Sequence, residues 1–221
     1  MSIGTHSSAR LPVDVRYIDL ARRSYPRPWW RLDASDEALE SWQVTASVRE
    51  SIPCPTPHVA DVLLDLATLA PEDGLADLGI GNDLTVEYIV ETLFTSTGAL
   101  RFEVDTTMPD GPARMVVLRR IEVEPAWRGH GLGVGLLAAS LAMMGPFARF
   151  AVCRLSPVDW IELVPDRVSA ELACVRAVSL IEKVGFRPWR GMHLVNLHDA
   201  DLRGDPMAPV WDPYPRPEGR V

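Results

Sequence analysis

The stretch EVEPAWRGHGLGVGLL, residues 122–137, constrains the fold more than any other part of the chain. Alternating letters run up to Pro125, which has no backbone N–H and ends a strand. Gly129, Gly131 and Gly133 then lead into a helix that runs to about Met144. The first amides of a helix have no partner within it, and the positive end of the helix dipole lies among them. A strand-to-helix turn of this kind holds phosphate well, and glycines let the backbone approach the ligand. Arg128 adds a cation at the same place.

That local charge matters because the 221 residues carry a formal net charge of −8. A general nucleic-acid binder needs a basic footprint to displace counterions, so the balance argues against nucleic acid as a partner. An anionic ligand has to be caught by a local feature. No run of eighteen apolar residues occurs, and MSIGTHSSARLPVDVRY lacks the apolar centre of a secretory signal, so neither a membrane partner nor export is expected. A cytoplasmic enzyme or binding domain is the expectation. Cys54, Cys153 and Cys174 show no CxxC spacing and read as reduced filler, not as a disulfide frame or a metal site.

Composition divides the chain into three. Residues 1–40, with YPRPWW, form an Arg/Pro/Trp-rich extension; residues 41–198 form the domain; residues 199–221 form a proline-rich tail. The tryptophans at 29, 30 and 211 suit arms laid on a surface, and the N-terminal arm suits either a cover for a cleft or a homodimer contact. Arg203-Gly204-Asp205 reads as a plain turn.

Within the domain, 41–50 alternates as a strand, and the apolar spacing of 58–70 predicts a helix with Val59, Val62, Leu63, Leu66 and Leu69 on one side. Residues 84–94 and 99–108 read as two strands that join 114–125 in an antiparallel meander. A buried strand is expected at 147–156, a helix from Pro165 or Asp166 to Gly185, and one closing strand through RPWRGMHLVNL. The fold class is therefore mixed α/β, with a largely antiparallel sheet flanked by helices.

IEVEPAWRGHGLGVGLL resembles the acyl-CoA loop of the GCN5-related N-acetyltransferases, through Arg128, Gly131 and Gly133 after a Val-x-Pro step. AVSLIEKVGFRPW, residues 177–189, is similar to that family's late helix and Gly-Phe step. The resemblance covers about residues 41–198, strongly at those two places. It implies the family's fold, acetyl-CoA as acyl donor, and an amine of a small molecule or peptide as acceptor. It also implies that Arg128, Gly129, His130, Gly131, Leu132 and Gly133 hold the CoA phosphates, while the backbone of Ile121 and Val123 lines a cleft between strands 114–123 and 147–155.

An amine must be neutral to attack a thioester, and a lysine-like amine has a pKa of about 10.4, so a base helps. Strand alternation puts Glu122 and Glu124 opposite Ile121 and Val123, which makes Glu122 the candidate base and pairing with Arg119 or Arg120 its alternative role. The resemblance implies a tyrosine and an asparagine in the late helix, but Ile181 and Cys174 stand there. Ser179 or Ser156 could act through water in their place. His130 suits either phosphate or an exposed loop, and His193 and His198 read as packed histidines.

Two other readings stand beside acyl transfer. A CoA-binding or partner-binding module without turnover fits the loss of tyrosine and asparagine. A methyltransferase using S-adenosylmethionine fits residues 56–83, where Asp77, Gly79 and Gly81 resemble the first motif of that class. The third glycine is missing, and the following letters read as β-like where such a site requires a helix.

Overall fold

The computed structural model describes residues 11–24, 39–69, 84–108, 110–160, 164–199 and 202. One mixed, mostly antiparallel sheet of seven strands carries the structure, in the order β1-β2-β3-β4-β5-β7-β6. The strands are β1 (Ile18–Ser24), β2 (Leu39–Val48), β3 (His58–Thr68), β4 (Arg114–Val123), β5 (Phe150–Cys153), β6 (Arg187–Trp189) and β7 (Met192–Asn196). The helices are α1 (Leu84–Leu93), the short α2 (Phe102–Asp105), α3 (Leu132–Ala142) and α4 (Arg167–Val184). The β4–β5 pair is the parallel one; the other neighbours in the sheet run antiparallel.

Alternation along the central strands builds a core on each face of the sheet. Val116 and Leu118 of β4 and Ala151 and Cys153 of β5 pack with Leu137 and Leu141 of α3 and Ile181 and Val184 of α4. Met115, Val117, Phe150 and Val152 point the other way and pack with Val86, Ile89, Val90 and Leu93 of α1. Asp166 caps α4 by accepting from the Ser169 backbone N–H at 2.9 Å, and Gly185 ends that helix in the left-handed region at φ 105°, both as the sequence suggests.

Three expected elements differ in type. Residues 58–70 hold strand β3 where a helix was expected. Its Val62, Leu64 and Leu66 are buried in the core with α3 and α4, Ala67 in the core with α1, and Val59 and Ala60 in the cluster around Trp127. A strand covered on both sides loses its alternation, and its apolar run can pass for a helical stripe. Residues 84–94, expected as a strand, contain helix α1, in which Val86, Ile89, Val90 and Leu93 recur at helical spacing. Residues 99–108 contain only α2 and an isolated bridge between Phe94 and Leu100. The meander therefore runs β1-β2-β3-β4, and 84–108 is a helical crossing over α1's face of the sheet.

The closing segment is a hairpin, β6 and β7, not one strand; Arg190 at φ 44° and Gly191 at φ 77° make its turn. Part of the N-terminal extension joins the sheet as edge strand β1, and Arg22 there lies over the rings of Trp42 and Phe147 while donating to the Met143 carbonyl. The tryptophans at 29, 30 and 211 and the Arg203-Gly204-Asp205 turn lie outside the described residues.

Candidate functional site

The site begins where β4 and β5 part. Met115, Val116 and Val117 pair with Phe150, Ala151 and Val152, and the pairing goes no further. β4 continues to Val123, still held on its other side by β3, with Ile121 opposite Val62 and Val123 opposite Ala60. The β3–β4 register shifts between Leu63 and Leu64, so that Arg119 is an extra residue on β4. A bulge of this kind turns the strand's alternation over. As a result Ile121 and Val123 pack toward the α3 and α4 side, and Glu122 lies on the opposite face.

The turn after β4 is pinned from below. Trp127 is fully buried, and its Nε1 donates to the Thr56 carbonyl at 3.1 Å. Arg128 bends back, its Nε donating to the Val123 carbonyl at 2.6 Å. Gly129 at φ 83° and Gly131 at φ 75° occupy the left-handed region, which L side chains reach only with strain. Gly131 is the N-cap of α3 and offers no side chain to its amides. Gly133 packs closely against α4: a Cβ there would lie 3.1 Å from Leu180 Cδ1, and that side chain would have to give by a few tenths of an ångström.

Between this turn and α4 lies an open cavity of about 300 Å³. Val123, Arg128, Gly129, Gly131, Leu132 and Gly133 line one side; Arg176, Ser179, Leu180 and Lys183 line the other. Of the loop residues expected to meet phosphate, His130 does not line the cavity. Arg176 and Lys183 were missed by sequence reasoning. Their signal was present in the i, i+3, i+4, i+7 spacing of Arg176, Ser179, Leu180 and Lys183, which puts one face of α4 against the turn.

Glu122 is about half exposed and ion-paired with Arg120. Directly across from it on β3 stands Asp61, which accepts from Gln43 Nε2 and Thr45 Oγ1, each at 2.7 Å. Arg119, the other candidate partner of Glu122, faces Asp65 at 3.4 Å.

Cys174 and Ile181 are both buried in α4. Cys174 also lines a second, more apolar cavity of about 370 Å³ with Pro157, Val175 and Val178, to which Ser179 contributes as well. Ser156 Oγ accepts from the Val158 backbone N–H at 3.3 Å. His193 is half-buried, and burial holds its pKa below 6.5 against the opposing charge of Glu182. His198 lies 3.2 Å from the Ala148 carbonyl through Nε2.

The segment with Asp77, Gly79 and Gly81 lies outside the described residues. The residues after it form helix α1, so the β-like reading that weighed against a methyltransferase site does not hold. The sheet supplies a different objection. β3 and β4, on either side of that segment, pair antiparallel, whereas a dinucleotide-type site is built on a parallel strand–helix–strand unit. Among the described residues, no group of three or more His, Cys, Asp or Glu could hold a metal ion, and no helix is long and apolar enough to cross a membrane. The fold and site thus define a mixed α/β protein with an amide-rimmed cavity at the free end of a central strand. No protein-family model matches the chain, and no curated protein matches it.

Proposed function

We propose that the chain is an acyl-CoA-dependent N-acyltransferase of the GCN5-related kind, moving an acetyl group from acetyl-CoA to an amine. One observation carries this reading. β4 outruns its parallel partner β5, and the free end of β4 leads into a glycine turn whose helix amides and Arg128 line a cavity. That combination supplies a gap for an extended thioester arm and an anion site at one end of it. A phosphate turn without a parted strand pair would hold a nucleotide and leave no channel for a thioester.

The residues divide the work as follows. The amides from Gly131 onward, with Arg128, hold the phosphates, and the exposed edge of β4 near Ile121 and Val123 orients the thioester arm. The acceptor's nitrogen then bonds to the acetyl carbon as the carbon–sulfur bond breaks. Its proton passes to Glu122, directly or through water, and CoA leaves as a thiolate. A thiol pKa of about 8.5 makes that departure affordable without the tyrosine that Ile181 replaces. Positioning is the main contribution of the site.

A second reading, CoA binding without turnover, is favoured by the burial of Cys174 and Ile181 in α4. Calorimetric titration of acetyl-CoA and, separately, S-adenosylmethionine into the protein and its Gly131→Glu variant tests the site. Micromolar acetyl-CoA binding that disappears in the variant is expected. No binding by the folded wild-type protein would remove the acyltransferase reading. Product formation across a panel of amines then separates transfer from binding alone.

A further inference from the structure

Helix amides and a single arginine accept any phosphate ester, so the turn alone does not distinguish a CoA thioester from a thioester on 4′-phosphopantetheine, which ends in one phosphate. The opposite wall of the cavity can. Arg176 and Lys183 both line it, seven positions apart on α4. At 1.5 Å per residue that separation is about 10 Å along the helix. The diphosphate and ribose phosphate of CoA spread anionic charge over such a span and can meet both cations in extended rotamers, whereas a single phosphate meets both only if the two side chains converge and bring their like charges together.

The surroundings of these two side chains add to the argument. In a chain of net charge −8, Arg49, Arg114, Arg120, Arg149 and Arg190 each face a carboxylate. Among the described residues Arg176 and Lys183 have no hydrogen-bond or ion-pair partner, although both are exposed at the cavity. Lys183 is also the only lysine in the sequence. Two cations facing one cavity without internal carboxylates are available to an external polyanion, and their charge need not first be released from a partner.

We propose that Arg176 and Lys183 are the donor-selecting residues: they contact the phosphates beyond the first, so that the cleft takes CoA thioesters and discriminates against thioesters carried on a single phosphopantetheine phosphate. The proposal rests on the phosphate turn of the acyltransferase reading. It adds that α4, not the turn, sets which donor is used.

The test titrates CoA, dephospho-CoA and 4′-phosphopantetheine into the wild-type protein, the Arg176→Gln/Lys183→Gln double variant and Gly131→Glu. In the wild type, CoA is expected to bind at least about tenfold more tightly than phosphopantetheine, with dephospho-CoA between them. The double variant should lose that preference by weakening CoA alone, and Gly131→Glu should lose all three ligands. If the double variant keeps the wild-type preference while Gly131→Glu abolishes binding, the selector role is wrong and the turn stands. If Gly131→Glu leaves CoA binding intact, or the wild type binds none of the three, the turn reading fails and the selector role fails with it. A second readout needs no variant: reductive methylation of Lys183, followed by mass spectrometry, should be slowed by CoA and unaffected by phosphopantetheine at equal occupancy. Equal protection by both ligands would overturn the proposal.

Discussion

The two faces of the sheet beside the end of β4 treat charge in opposite ways. On the face of Glu122, each carboxylate has a partner within the protein: Glu122 has Arg120, Asp65 has Arg119, and Asp61 has Gln43, Thr45 and His58. On the α3 and α4 side, Arg128 is held by a backbone carbonyl, and Arg176 and Lys183 meet no carboxylate among the described residues. An acidic chain that leaves cations without carboxylates at one cavity has kept a place for an anion there. A ligand on the opposite face must exchange places with an existing partner. For an exposed pair such as Arg120–Glu122 that exchange costs little, because such pairs contribute only about 0–1 kcal/mol. The cationic side is therefore suited to holding a donor, and the self-paired side to a group that changes partners during reaction.

The comparison can be broken most severely from beneath. Trp127 is fully buried under the turn, and Trp127→Ala should cost about 3–5 kcal/mol of stability, read by chemical denaturation, along with donor binding. An effect below about 1 kcal/mol would mean that the turn does not depend on its anchor. Gly131→Glu acts on the cationic side alone: it forces a side chain into the left-handed region at φ 75° and places a carboxylate beside the amides. Acetyl-CoA affinity should fall by about a hundredfold or more, worth about 2.7 kcal/mol, with the rest of the fold retained.

Glu122→Gln sharpens the contrast from the other face. Turnover with any accepted amine should fall about tenfold or more while the Kd for acetyl-CoA is unchanged. If Kd moves and kcat does not, Glu122 belongs to the donor side and the division is wrong.

The smallest effect expected is at His193. Burial lowers its folded pKa below 6.5, so the unfolded chain binds more protons in that interval. Stability is complete above the unfolded value and is lost as pH falls from there through the folded value. That window lies above the range in which Asp14, Asp19 and Asp166, all held below 3.8 by their hydrogen-bond partners, titrate. Denaturation midpoints measured between pH 7.5 and 5.5 should show a decline that His193→Gln flattens; an identical slope in the variant would locate the titrating group elsewhere.

How legible each part was in the sequence depends on how local its physics is. The strand–turn–helix at Arg114–Ala142, the cap at Asp166 and the stop at Gly185 follow from short-range rules of proline, glycine and capping chemistry, and they stand where the sequence puts them. The candidate turn, Arg128 to Gly133, was legible for the same reason. β3 and α1 were exchanged because their letters suit both structures. β3 carries apolar letters on both sides, interrupted by Asp61 and Asp65, and α1 contains enough valine, isoleucine, threonine and tyrosine to resemble a strand.

By itself, the sequence determined the mixed class, the glycine turn at a helix start and the need for a local cation, because each depends on neighbours within a few residues. The tertiary structure decided which strands neighbour one another, which face Glu122 occupies after the bulge at Arg119, and that α4 brings Arg176 and Lys183 to the turn. Those outcomes depend on contacts between residues far apart in the chain, formed only once the sheet has chosen its order and α4 has packed against α3 across Gly133 and Leu180.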